Sequence, residues 1–390
     1  MVRVGIIGYG ISKFGKRNDA SMYDLIWEAG SEALKTSGVD KKDVEYLVVS
    51  NMGMWSSEEL PAVVAGEVLG TERAGTNRVE AACASGSSAI SSAYDAIASG
   101  HVRMAMALGV EKMSEVDTGT AIELIGRAGN FLWEYEFFGL TFPGYYALHA
   151  TAYLDKYGGK EEDLALVSVK NHHYAHFNPK AQFTNDISVE DVMSSRYIAS
   201  PLKLYDSSPI TDGAAAVVLA SEDVAKQYTD TPVWIDAIGS NLGTSNLSKR
   251  PDFTGIEAAR EAARKAYKVA GIDSEKPYNF IDGADVHDCF SIAELMAYED
   301  LGFAGKGEAL ELIREGQTYI GGRIPVNVDG GLISKGHPIG ATGVAMAVEA
   351  TKQLLRKAEN GRQIDVNKGR FLTHNVGGTG HYAFVTVYSI

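Results

Sequence analysis

The chain has only two cysteines, no excess of basic residues and no long apolar segment. Two cysteines exclude a disulfide scaffold and a zinc site built from cysteines alone. Acidic residues outnumber basic ones by 50 to 36, and the net charge of −14 argues against binding to nucleic acid or to anionic lipid. No apolar stretch approaches the roughly 18 residues of a membrane span. The apolar start of the chain is too short for a signal peptide, so the sequence favours a cytoplasmic enzyme.

Glycine, by contrast, is abundant, and its 42 residues sit at the ends of apolar segments, where tight turns need them. Segments 24–36 and 256–270 have the apolar spacing of helices. Short apolar runs, most of them with β-branched residues, predict buried strands at 46–50, 104–109, 214–220, 233–238 and 384–388. The alternation of strands and helices predicts an α/β fold with mostly parallel sheets. At 390 residues, the chain has room for two or three domains or for two similar halves.

Two segments of the chain resemble each other. Segment 28–40 aligns with segment 261–273, and Glu, Ala, Lys, Gly and Asp recur at matching places. Both segments read as helices that end at a glycine, Gly38 in one and Gly271 in the other, where a left-handed cap suits glycine. Chance similarity between alanine-rich helices is the alternative explanation, so a second match is needed to favour a repeat.

A second match follows in the same order. Ala84 to Gly86 opens a helix of small residues, as Ala341 to Gly343 does. Two matches in one order favour a repeat, and we predict an N-terminal half at 1–225 and a C-terminal half at 226–390. The aromatic-rich stretch at about 117–185 has no counterpart in the second half. We interpret it as an inserted lid subdomain whose aromatic side chains mostly pack, with one or two touching the ligand.

Cys83 lies between a short strand-like segment and a helix whose first turn consists of small residues. A thiol at a helix N-terminus senses the positive end of the helix dipole, which lowers its pKa and favours the thiolate. Small neighbours also leave room for a substrate carbonyl. Taken alone, a cysteine among Ala, Ser and Gly is more often a buried packing residue. Cys83 is therefore a candidate nucleophile that needs support from the other motifs.

A second group of reactive residues follows a strand end in the second half. His287, Asp288 and Cys289 stand together, and a helix is expected from about Ser291. Three reactive side chains at the carboxyl end of a strand are hard to explain by packing alone. A zinc site that uses His287 and Cys289 is the alternative, although the further sulfur ligands of common structural sites are missing.

Two glycine-rich loops complete the set of candidates. His337 lies in the loop Lys335–Gly343, where glycines and a proline fix the backbone before a helix. A histidine held in this way is well placed to act as a base or as a hydrogen-bond donor. The turn at 373–380 contains Gly377 and can present a backbone N–H to an oxyanion. A plain connection between strands is the alternative for this turn.

Two weaker patterns argue for other chemistry. His172, His173 and His176 could share one helix face and bind a metal, but no carboxylate or cysteine completes the set. We prefer an exposed helix face. The glycines at 8–10 after the first strand hint at dinucleotide binding, but Lys13 stands where the third glycine of that fingerprint belongs.

Taken together and in order, four motifs resemble those of the thiolases: Cys-Ala-Ser-Gly, His-Asp-Cys-Phe, Gly-His-Pro-x-Gly-x-Thr-Gly and His-Asn-x-Gly-Gly. Segments 178–183 and 208–216 match as well, so the resemblance covers the whole chain. His-Asp-Cys-Phe stands where the better-known thiolases have Asn-Glu-Ala-Phe, and Asn375 stands where they have a second catalytic cysteine. The pattern resembles the sterol-carrier-protein-type thiolases and their archaeal relatives, the acetoacetyl-CoA thiolases.

The resemblance implies a thiolase-like α/β fold of two similar βαβαβαββ halves in a layered α-β-α-β-α arrangement. It also implies Claisen condensation of two acetyl-CoA molecules to acetoacetyl-CoA, with the reverse thiolysis, as the first step of the mevalonate route. Cys83 would carry the acetyl group, and Cys289 would move the α-proton. His337 would be the base for Cys83 and later a donor to the second thioester, and His287 would hold the enolate oxygen. The backbone N–H groups of Cys83 and Gly377 would form the other oxyanion hole.

Substrates and partners also follow from the resemblance. Coenzyme A thioesters are the expected substrates, with no tightly bound cofactor and no metal, and their anionic groups call for a local basic patch that the sequence does not reveal. The resemblance implies a homodimer or tetramer, and a complex with hydroxymethylglutaryl-CoA synthase and a zinc-ribbon/OB-fold protein that helps bind CoA. A degradative 3-ketoacyl-CoA thiolase for longer chains and a non-catalytic acyl-CoA-binding scaffold are the alternatives, the second opposed by intact Cys83, Cys289 and His337.

Overall fold

Strands and helices alternate along residues 2–390, the part of the chain that the computed structural model describes. The strands are β1 Val4–Ile11, β2 Tyr46–Ser50, β3 Gly75–Val79, β4 Met104–Lys112, β5 Tyr197–Ala199, β6 Leu202–Lys203, β7 Asp212–Ser221, β8 Val233–Leu242, β9 Gly283–Val286, β10 Arg370–Gly377 and β11 Tyr382–Ser389. The α-helices are α1 Met22–Ser37, α2 Pro61–Leu69, α3 Ser85–Ala98, α4 Thr118–Gly126, α5 Phe142–Tyr157, α6 Glu161–His176, α7 Val189–Ser194, α8 Glu222–Tyr228, α9 Glu257–Ala270, α10 Ser291–Asp300, α11 Ala309–Arg314 and α12 Thr342–Leu354. None of these helices combines the length and the apolar character needed to cross a membrane.

Nine strands form one sheet in the order β3-β2-β4-β7-β1-β8-β11-β10-β9. The first five of these strands belong to residues 4–221 and the last four to residues 233–389. At the centre of the sheet, β1 pairs with β8. Counted outward from this centre, each half starts with its first strand (β1 or β8), and its last strand (β7 or β11) comes next. The two halves therefore repeat one topology, as the sequence matches suggested, while the boundary at residue 225 stays a prediction.

The prediction of mostly parallel sheets is wrong. Among the described strands, parallel pairing is confined to β2 with β3, β2 with β4, and β9 with β10. Around the centre, β7 lies antiparallel to both β1 and β4, and β11 lies antiparallel to both β8 and β10. In each half, the last strand (β7 or β11) lies between two strands that come earlier in the chain and runs antiparallel to both. Apolar periodicity does not encode this direction. A short glycine turn joins β10 to β11 directly, so these two strands must be antiparallel.

Helices cover the sheet in layers. α1 and α2 pack on one face of the first-half strands. α3 and α12 pack on the other face of those strands and also on the second-half strands, so they lie in the middle of the molecule. α9 and α10 pack with the remaining face of the second-half strands. The resulting order of helices and strands is the layered α-β-α-β-α arrangement that the sequence resemblance implied.

The two small-residue helix starts found in the sequence meet at the centre of the molecule. A methyl group added at Gly86 in α3 would lie 2.6 Å from the backbone nitrogen of Gly343 in α12. A methyl group at Gly343 would lie 2.2 Å from the backbone nitrogen of Ser87. Neither helix could carry a side chain here without moving apart from the other. The close crossing holds the loop before α3 and the loop before α12 side by side, and these loops carry Cys83 and His337.

A long segment separates β4 from β7 and forms α4 to α7 and the small β5–β6 hairpin. The stretch 117–185, expected to be an inserted lid, lies within it. Its aromatic residues divide into two groups. Tyr145 and Tyr146 are fully buried, as expected for packing, whereas Trp133 and Phe138 are 60% and 81% exposed. The expectation of packing was therefore wrong for the outer part of the segment.

Candidate active site

Three loops bring the candidate residues to one cavity of about 610 Å³. Cys83 comes from the loop between β3 and α3, and Cys289 from the loop between β9 and α10. His337 precedes α12. All three side chains line the cavity, and His287 lies beside them, buried. Residues that are up to 254 positions apart in sequence (83 and 337) thus share one site.

The turn before α3 holds Cys83 in a constrained position. Ala82 has a φ of 50°, in the left-handed region that residues with a side chain rarely adopt. The Ser85 hydroxyl accepts a hydrogen bond from the Ala81 N–H (2.8 Å) and donates one to the Ala82 carbonyl (2.6 Å). A methyl group at Gly377 in β10 would lie 2.2 Å from the Ala81 carbonyl oxygen, so β10 abuts this turn. Backbone strain of this kind is often found at functional residues.

The environment of the Cys83 thiol differs from the expectation of a lowered pKa. Burial raises the pKa of Cys83 to about 12, and the negative charges of Glu111 and Glu80 add to the rise. Hydrogen bonds from the backbone N–H groups of Gly378 and of Cys83 itself oppose this rise but do not overcome it. The resting group is therefore a thiol that needs a base. The backbone N–H of Gly378, which favours the thiolate, belongs to the same turn as Gly377.

His337 is held as such a base. Its Nδ1 lies 2.7 Å from the Thr342 hydroxyl oxygen, and that hydroxyl donates to the Pro338 carbonyl at 3.0 Å. With the hydroxyl hydrogen used in this way, Nδ1 must donate, and Nε2 carries the lone pair. Burial, and then the charge of Lys335, lower the pKa of His337 to about 3, so the ring is neutral. Nε2 has no hydrogen-bond partner among residues 2–390 and is free to take a proton.

His287 is held in the opposite tautomer from His337. The Asn375 side-chain amide lies 3.1 Å from Nδ1 of His287 and donates to the Cys83 carbonyl at 3.0 Å. The amide oxygen of Asn375 accepts from the Ser87 hydroxyl at 3.0 Å, which fixes its orientation. Nδ1 of His287 must then accept, so Nε2 carries the hydrogen. Burial lowers the pKa of His287 well below its usual value, and the neighbouring His337 adds to this effect.

The two imidazoles and the thiol form one cluster. The rings of His287 and His337 lie 5.1 Å apart between centroids and nearly perpendicular, at 82°. Ligand-type atoms of Cys83, His287 and His337 all lie within 4.8 Å of one another, and this group does not include Cys289. The zinc alternative, which required His287 and Cys289 together, gains no support from this grouping.

Cys289 faces the same cavity as a second buried thiol. Burial raises the pKa of Cys289 well above its usual value, and the nearby Cys83 sulfur raises it further. Its carbonyl accepts a hydrogen bond from the Ser208 N–H at 2.9 Å, which ties the loop to the cavity wall. At rest, Cys289 is therefore also protonated.

Asp288, which the sequence singled out only as part of a motif, links two of the loops. Its carboxylate accepts hydrogen bonds from the backbone N–H groups of Leu332 (2.7 Å) and Ile333 (3.3 Å) and from the side-chain amide of Asn171 (2.7 Å). Leu332 and Ile333 lie in the turn that leads into His337. A carboxylate between His287 and Cys289 thus fixes the distance from these residues to the His337 loop.

The cavity wall contains residues that sequence reasoning missed. Most are apolar, among them Ile122, Phe142 and Leu204. Arg196 is the one lysine or arginine that lines it within the described chain, and its side chain is exposed. No sequence motif marks Arg196, because its closeness to the cavity depends on how α7 and the hairpin fold back.

The three clustered histidines of α6 do not form a shared site. His172 is buried and lines the cavity, with Nδ1 3.1 Å from the Asn185 carbonyl, so the prediction of an exposed face was wrong for it. His173 lies 3.5 Å from Asp186, and His176 lies 3.0 Å from the Thr184 carbonyl. Each histidine thus has a separate neighbour in one loop.

A buried thiol beside a neutral imidazole, with a second thiol and a second imidazole at one apolar cavity, defines an enzyme of the acyl-transfer class. Family comparison agrees. The model of the thiolase N-terminal domain matches residues 4–223, and the model of the thiolase C-terminal domain-like family matches residues 239–390. The chain belongs to the thiolase family.

Individual relatives are similar over the full length. The chain is 44% identical to an acetyl-CoA acetyltransferase of Methanothermobacter thermautotrophicus, with 99% of each protein covered. It is 39% identical to an acetyl-CoA acetyltransferase of Methanocaldococcus jannaschii, with 99% of this chain and 98% of that protein covered. The solved structure of an Ltp2-ChsH2(DUF35) aldolase matches with a TM-score of 0.84 at 25% identity, covering 99% of this chain and 97% of that one.

These findings confirm the predicted family, the thiolase-like fold and the enzyme class. Thiolases act on coenzyme A thioesters without a tightly bound cofactor, which agrees with the expected substrate class. The roles of the individual site residues stay predictions, and they are taken up next.

Proposed function

We propose that this chain condenses two acetyl-CoA molecules to acetoacetyl-CoA and free coenzyme A, and catalyses the reverse thiolysis. The observation that carries the proposal is the cluster of Cys83, His287 and His337, whose reactive atoms lie within 4.8 Å of one another beside Cys289. Thiolase chemistry is Claisen condensation, and similarity to proteins named acetyl-CoA acetyltransferase, at 44% and 39% identity, supports acetyl-CoA as the substrate.

The first half-reaction uses Cys83 as the nucleophile. Its sulfur attacks the acetyl carbonyl carbon, and its proton moves to Nε2 of His337. The backbone N–H groups of Cys83 and Gly377 stabilise the oxyanion, and the adjacent Gly378, whose N–H favours the thiolate, supports the same turn. The carbon–sulfur bond to coenzyme A then breaks, and the Cys289 thiol gives its proton to the leaving sulfur, which leaves a thiolate at Cys289 and a proton on Nε2 of His337. Free coenzyme A and an acetyl thioester on Cys83 result.

The second half-reaction uses Cys289 as the base. Its thiolate removes the α-proton of a second acetyl-CoA, and the enolate oxygen receives the Nε2–H of His287. His337 gives a second hydrogen bond to the same oxygen through the Nε2–H that it took from Cys83. The enolate carbon attacks the acetyl group, and the bond to the Cys83 sulfur breaks. Cys289 keeps the α-proton, and the Cys83 thiolate takes back the proton on His337, so both thiols and the neutral imidazole are restored.

An assay of both directions tests this function. Purified protein with acetyl-CoA should release coenzyme A and form acetoacetyl-CoA, and because condensation is uphill, thiolysis of acetoacetyl-CoA should be the faster reaction. The apolar cavity walls favour one alternative, a degradative thiolase for longer chains. A clear preference for longer 3-ketoacyl-CoA substrates would establish that alternative, and the absence of any turnover would mean that the chain is a scaffold or needs a partner to bind coenzyme A.

Replacement of Asn375 by aspartate should move the ring hydrogen of His287 from Nε2 to Nδ1. A carboxylate at this place accepts from Nδ1, so Nε2 loses its hydrogen and can no longer donate to the enolate oxygen. Loss of one oxyanion donor typically lowers kcat by about 100-fold or more, and we expect that loss in condensation. The same change at Asn279, an exposed residue away from the cavity, is the matched control and should keep wild-type kcat. An unaltered kcat in Asn375→Asp would refute the tautomer assignment.

Replacement of Arg196 by alanine should weaken coenzyme A binding. The ligand carries phosphate groups, and the net charge of −14 makes a local cation necessary. Loss of a hydrogen bond to a charged group costs about tenfold in affinity, so KM for acetyl-CoA should rise by about tenfold with kcat unchanged. Arg264→Ala, an exposed change on α9, is the control. If both variants keep the wild-type KM, the phosphates bind elsewhere.

Assembly is proposed on two grounds. β3 is an edge strand of the sheet, and an unpaired edge suits pairing with a second copy in a homodimer or tetramer. The similar aldolase structure is named with a DUF35 partner. We propose that this chain also has a partner, for which the family resemblance implies a zinc-ribbon/OB-fold protein, because Arg196 alone provides little positive charge for coenzyme A at the cavity wall. Co-purification from the native source tests both proposals.

A place in the mevalonate route is the last part of the proposal. An uphill condensation benefits when its product passes onward, which supports a complex with hydroxymethylglutaryl-CoA synthase. Co-purification without that synthase would remove this part. The cytoplasmic location stays a prediction.

A further inference from the structure

Glu111 is a buried carboxylate that the mechanism above does not use. It lies near the end of β4, is fully buried and does not line the cavity. Its Oε1 accepts hydrogen bonds from the side-chain amide of Asn51 (2.8 Å) and from the N–H of Gly53 (3.0 Å). Its Oε2 accepts from the backbone N–H groups of Met52 (3.0 Å) and Gly340 (2.9 Å). One carboxylate thus joins the loop after β2 to the loop before α12.

The two loops that Glu111 joins both pack against Cys83. Met52 from the first loop and Ile339 from the second share one small apolar cluster with the Cys83 side chain. Ile339 also lines the cavity, and it directly precedes Gly340, whose N–H donates to Glu111. A shift of either loop would therefore change the surroundings of the thiol.

The peptide groups of Gly340 are held from two directions. While the N–H donates to Glu111, the carbonyl accepts a hydrogen bond from the Ser50 hydroxyl at 2.7 Å. A methyl group added at Gly109 in β4 would lie 2.3 Å from the same carbonyl oxygen. A methyl group at Gly340 itself would lie 2.8 Å from the Cα atom of Asn51. The ends of β2 and β4 thus abut this part of the loop.

Gly340 lies between His337 and the residue that orients the imidazole. The Thr342 hydroxyl oxygen is 2.7 Å from Nδ1 of His337. The backbone N–H groups of Ala341 and Thr342 donate to the Pro338 carbonyl at 2.9 and 3.0 Å, which closes the turn around Gly340. Because the turn is closed, a group that holds Gly340 also holds the imidazole and its hydrogen-bond partner.

The four partners of Glu111 are all donors, so the site suits a carboxylate. Burial raises the pKa of Glu111 to about 7, and hydrogen bonds from three backbone N–H groups and the charge of Arg78 oppose this rise. The Arg78 guanidinium also donates to the Met52 carbonyl at 2.9 Å, in the loop that Glu111 holds. At pH 8 the carboxylate is the main form, and its two oxygens can serve all four donors.

We propose that Glu111 is a positioning residue that holds the His337 loop against the loop after β2 and so sets the distance from His337 to the Cys83 thiol. This inference rests on the roles proposed for Cys83 and His337. A misplacement of reacting groups by about 1 Å can lower a rate by about 100-fold. Since Glu111 does not line the cavity, its loss should act on the rate of the chemical step and not on substrate binding.

The test replaces Glu111 by glutamine and follows acetylation of Cys83 at pH 8 in single-turnover reactions with acetyl-CoA. Glutamine keeps the size of the side chain, but its NH₂ group faces two donors that it cannot satisfy. We expect the maximal rate of acetylation to fall by about 100-fold. The acetyl-CoA concentration that gives half the maximal rate should stay unchanged. A maximal rate within about threefold of wild type, or a rise in that concentration equal to the loss of rate, would overturn the proposal.

Asp282→Asn is the matched control. This buried carboxylate also accepts from backbone N–H groups, those of Lys368 (2.9 Å) and Gly369 (2.8 Å), but it lies at the end of β10 away from Gly377. Acetylation in this variant should keep the wild-type rate. An equal loss of rate in Asp282→Asn and Glu111→Gln would mean that any loosening of the fold slows the reaction, and the proposal would fail.

Ser50→Ala keeps the test decisive if Glu111→Gln does not fold. It removes a single hydroxyl and with it the second hold on Gly340. Loss of one neutral hydrogen bond typically costs about fivefold in an equilibrium constant, and we expect acetylation to slow by about that factor. An unchanged rate would show that the position of Gly340 does not control the reaction, which would refute the proposed route from Glu111 to His337.

A further measurement does not depend on activity. Hydrogen–deuterium exchange, followed by mass spectrometry of peptides that cover 51–53 and 337–343, reports how firmly the two loops are held. Exchange in both peptides should be faster in Glu111→Gln and unchanged in Asp282→Asn. Unchanged exchange in Glu111→Gln would overturn the proposal. If the wild-type enzyme does not acetylate Cys83, the proposed function fails, while the exchange rates still decide whether Glu111 holds the loops.

Discussion

Replacement of Cys83 by alanine is expected to abolish both condensation and thiolysis. Without the sulfur, no covalent acetyl intermediate can form, and His337 has no thiol proton to take. Loss of the nucleophile in enzymes of covalent acyl transfer typically lowers kcat by about 10⁴-fold or more, and we expect at least that loss here. The measurement is the rate of coenzyme A release from acetyl-CoA and the rate of acetoacetyl-CoA thiolysis.

The fold should survive this change. Cys83 is small and 6% exposed, so alanine removes one sulfur atom from a site that already opens onto a cavity. The thermal midpoint of Cys83→Ala should stay close to that of the wild type, which separates lost chemistry from lost structure. A variant that keeps activity within tenfold of wild type would place the nucleophile elsewhere.

Replacement of Cys289 by alanine is expected to separate the two half-reactions. Cys83, His337 and the turn at Gly377 and Gly378 remain, and the proton on His337 can go to the leaving sulfur instead, so acetyl transfer to Cys83 should proceed. The base for the α-proton is lost, and general acid–base groups typically contribute about 10²–10⁴-fold. We expect condensation and α-proton exchange to fall by that amount. Proton exchange of acetyl-CoA in deuterated water and acetylation of Cys83, measured on one preparation, check both parts.

The pH dependence of the wild-type enzyme belongs to the same prediction. Burial raises the pKa of Cys289, so the thiolate is the minor form at neutral pH, and its fraction grows as pH rises. α-Proton exchange should therefore increase with pH across the neutral range. Exchange that is independent of pH, or that persists in Cys289→Ala, would contradict the assignment of Cys289 as the base.

The parts of the fold that the sequence could predict are those that depend on local patterns, such as apolar runs and glycine caps. β2 spans 46–50, as expected from its apolar run, because a strand buried on both faces has a continuous apolar sequence. The caps at Gly38 and Gly271 are left-handed, with φ of 70° and 66°. Strand direction was not predictable in this way. Whether β7 runs with or against β1 depends on the path of the long segment before it, and local periodicity carries no record of that path.

In the site, too, features within local motifs were predictable and features that depend on distant elements were not. Cys83, His287, Cys289 and His337 were identifiable because each occupies a loop next to a helix start, where motifs are short and contiguous. The protonation state of Cys83 was not predictable from sequence. The helix start predicts a lowered pKa, but the effect of burial is larger and raises the pKa. Partners contributed by distant elements could not be read from sequence either. Arg196 lies in no motif, and only the fold brings it to the cavity wall.

Peptide-mapped mass spectrometry after brief exposure to acetyl-CoA or acetoacetyl-CoA tests the account most directly. The central claim is that Cys83 carries the acetyl group and Cys289 moves the proton. We predict a single acetyl group on Cys83, lost in Cys83→Ala and retained in Cys289→Ala. An acetyl group on Cys289 would show that the two thiols have the opposite roles, and no acetyl group with either donor would contradict covalent catalysis by this chain alone.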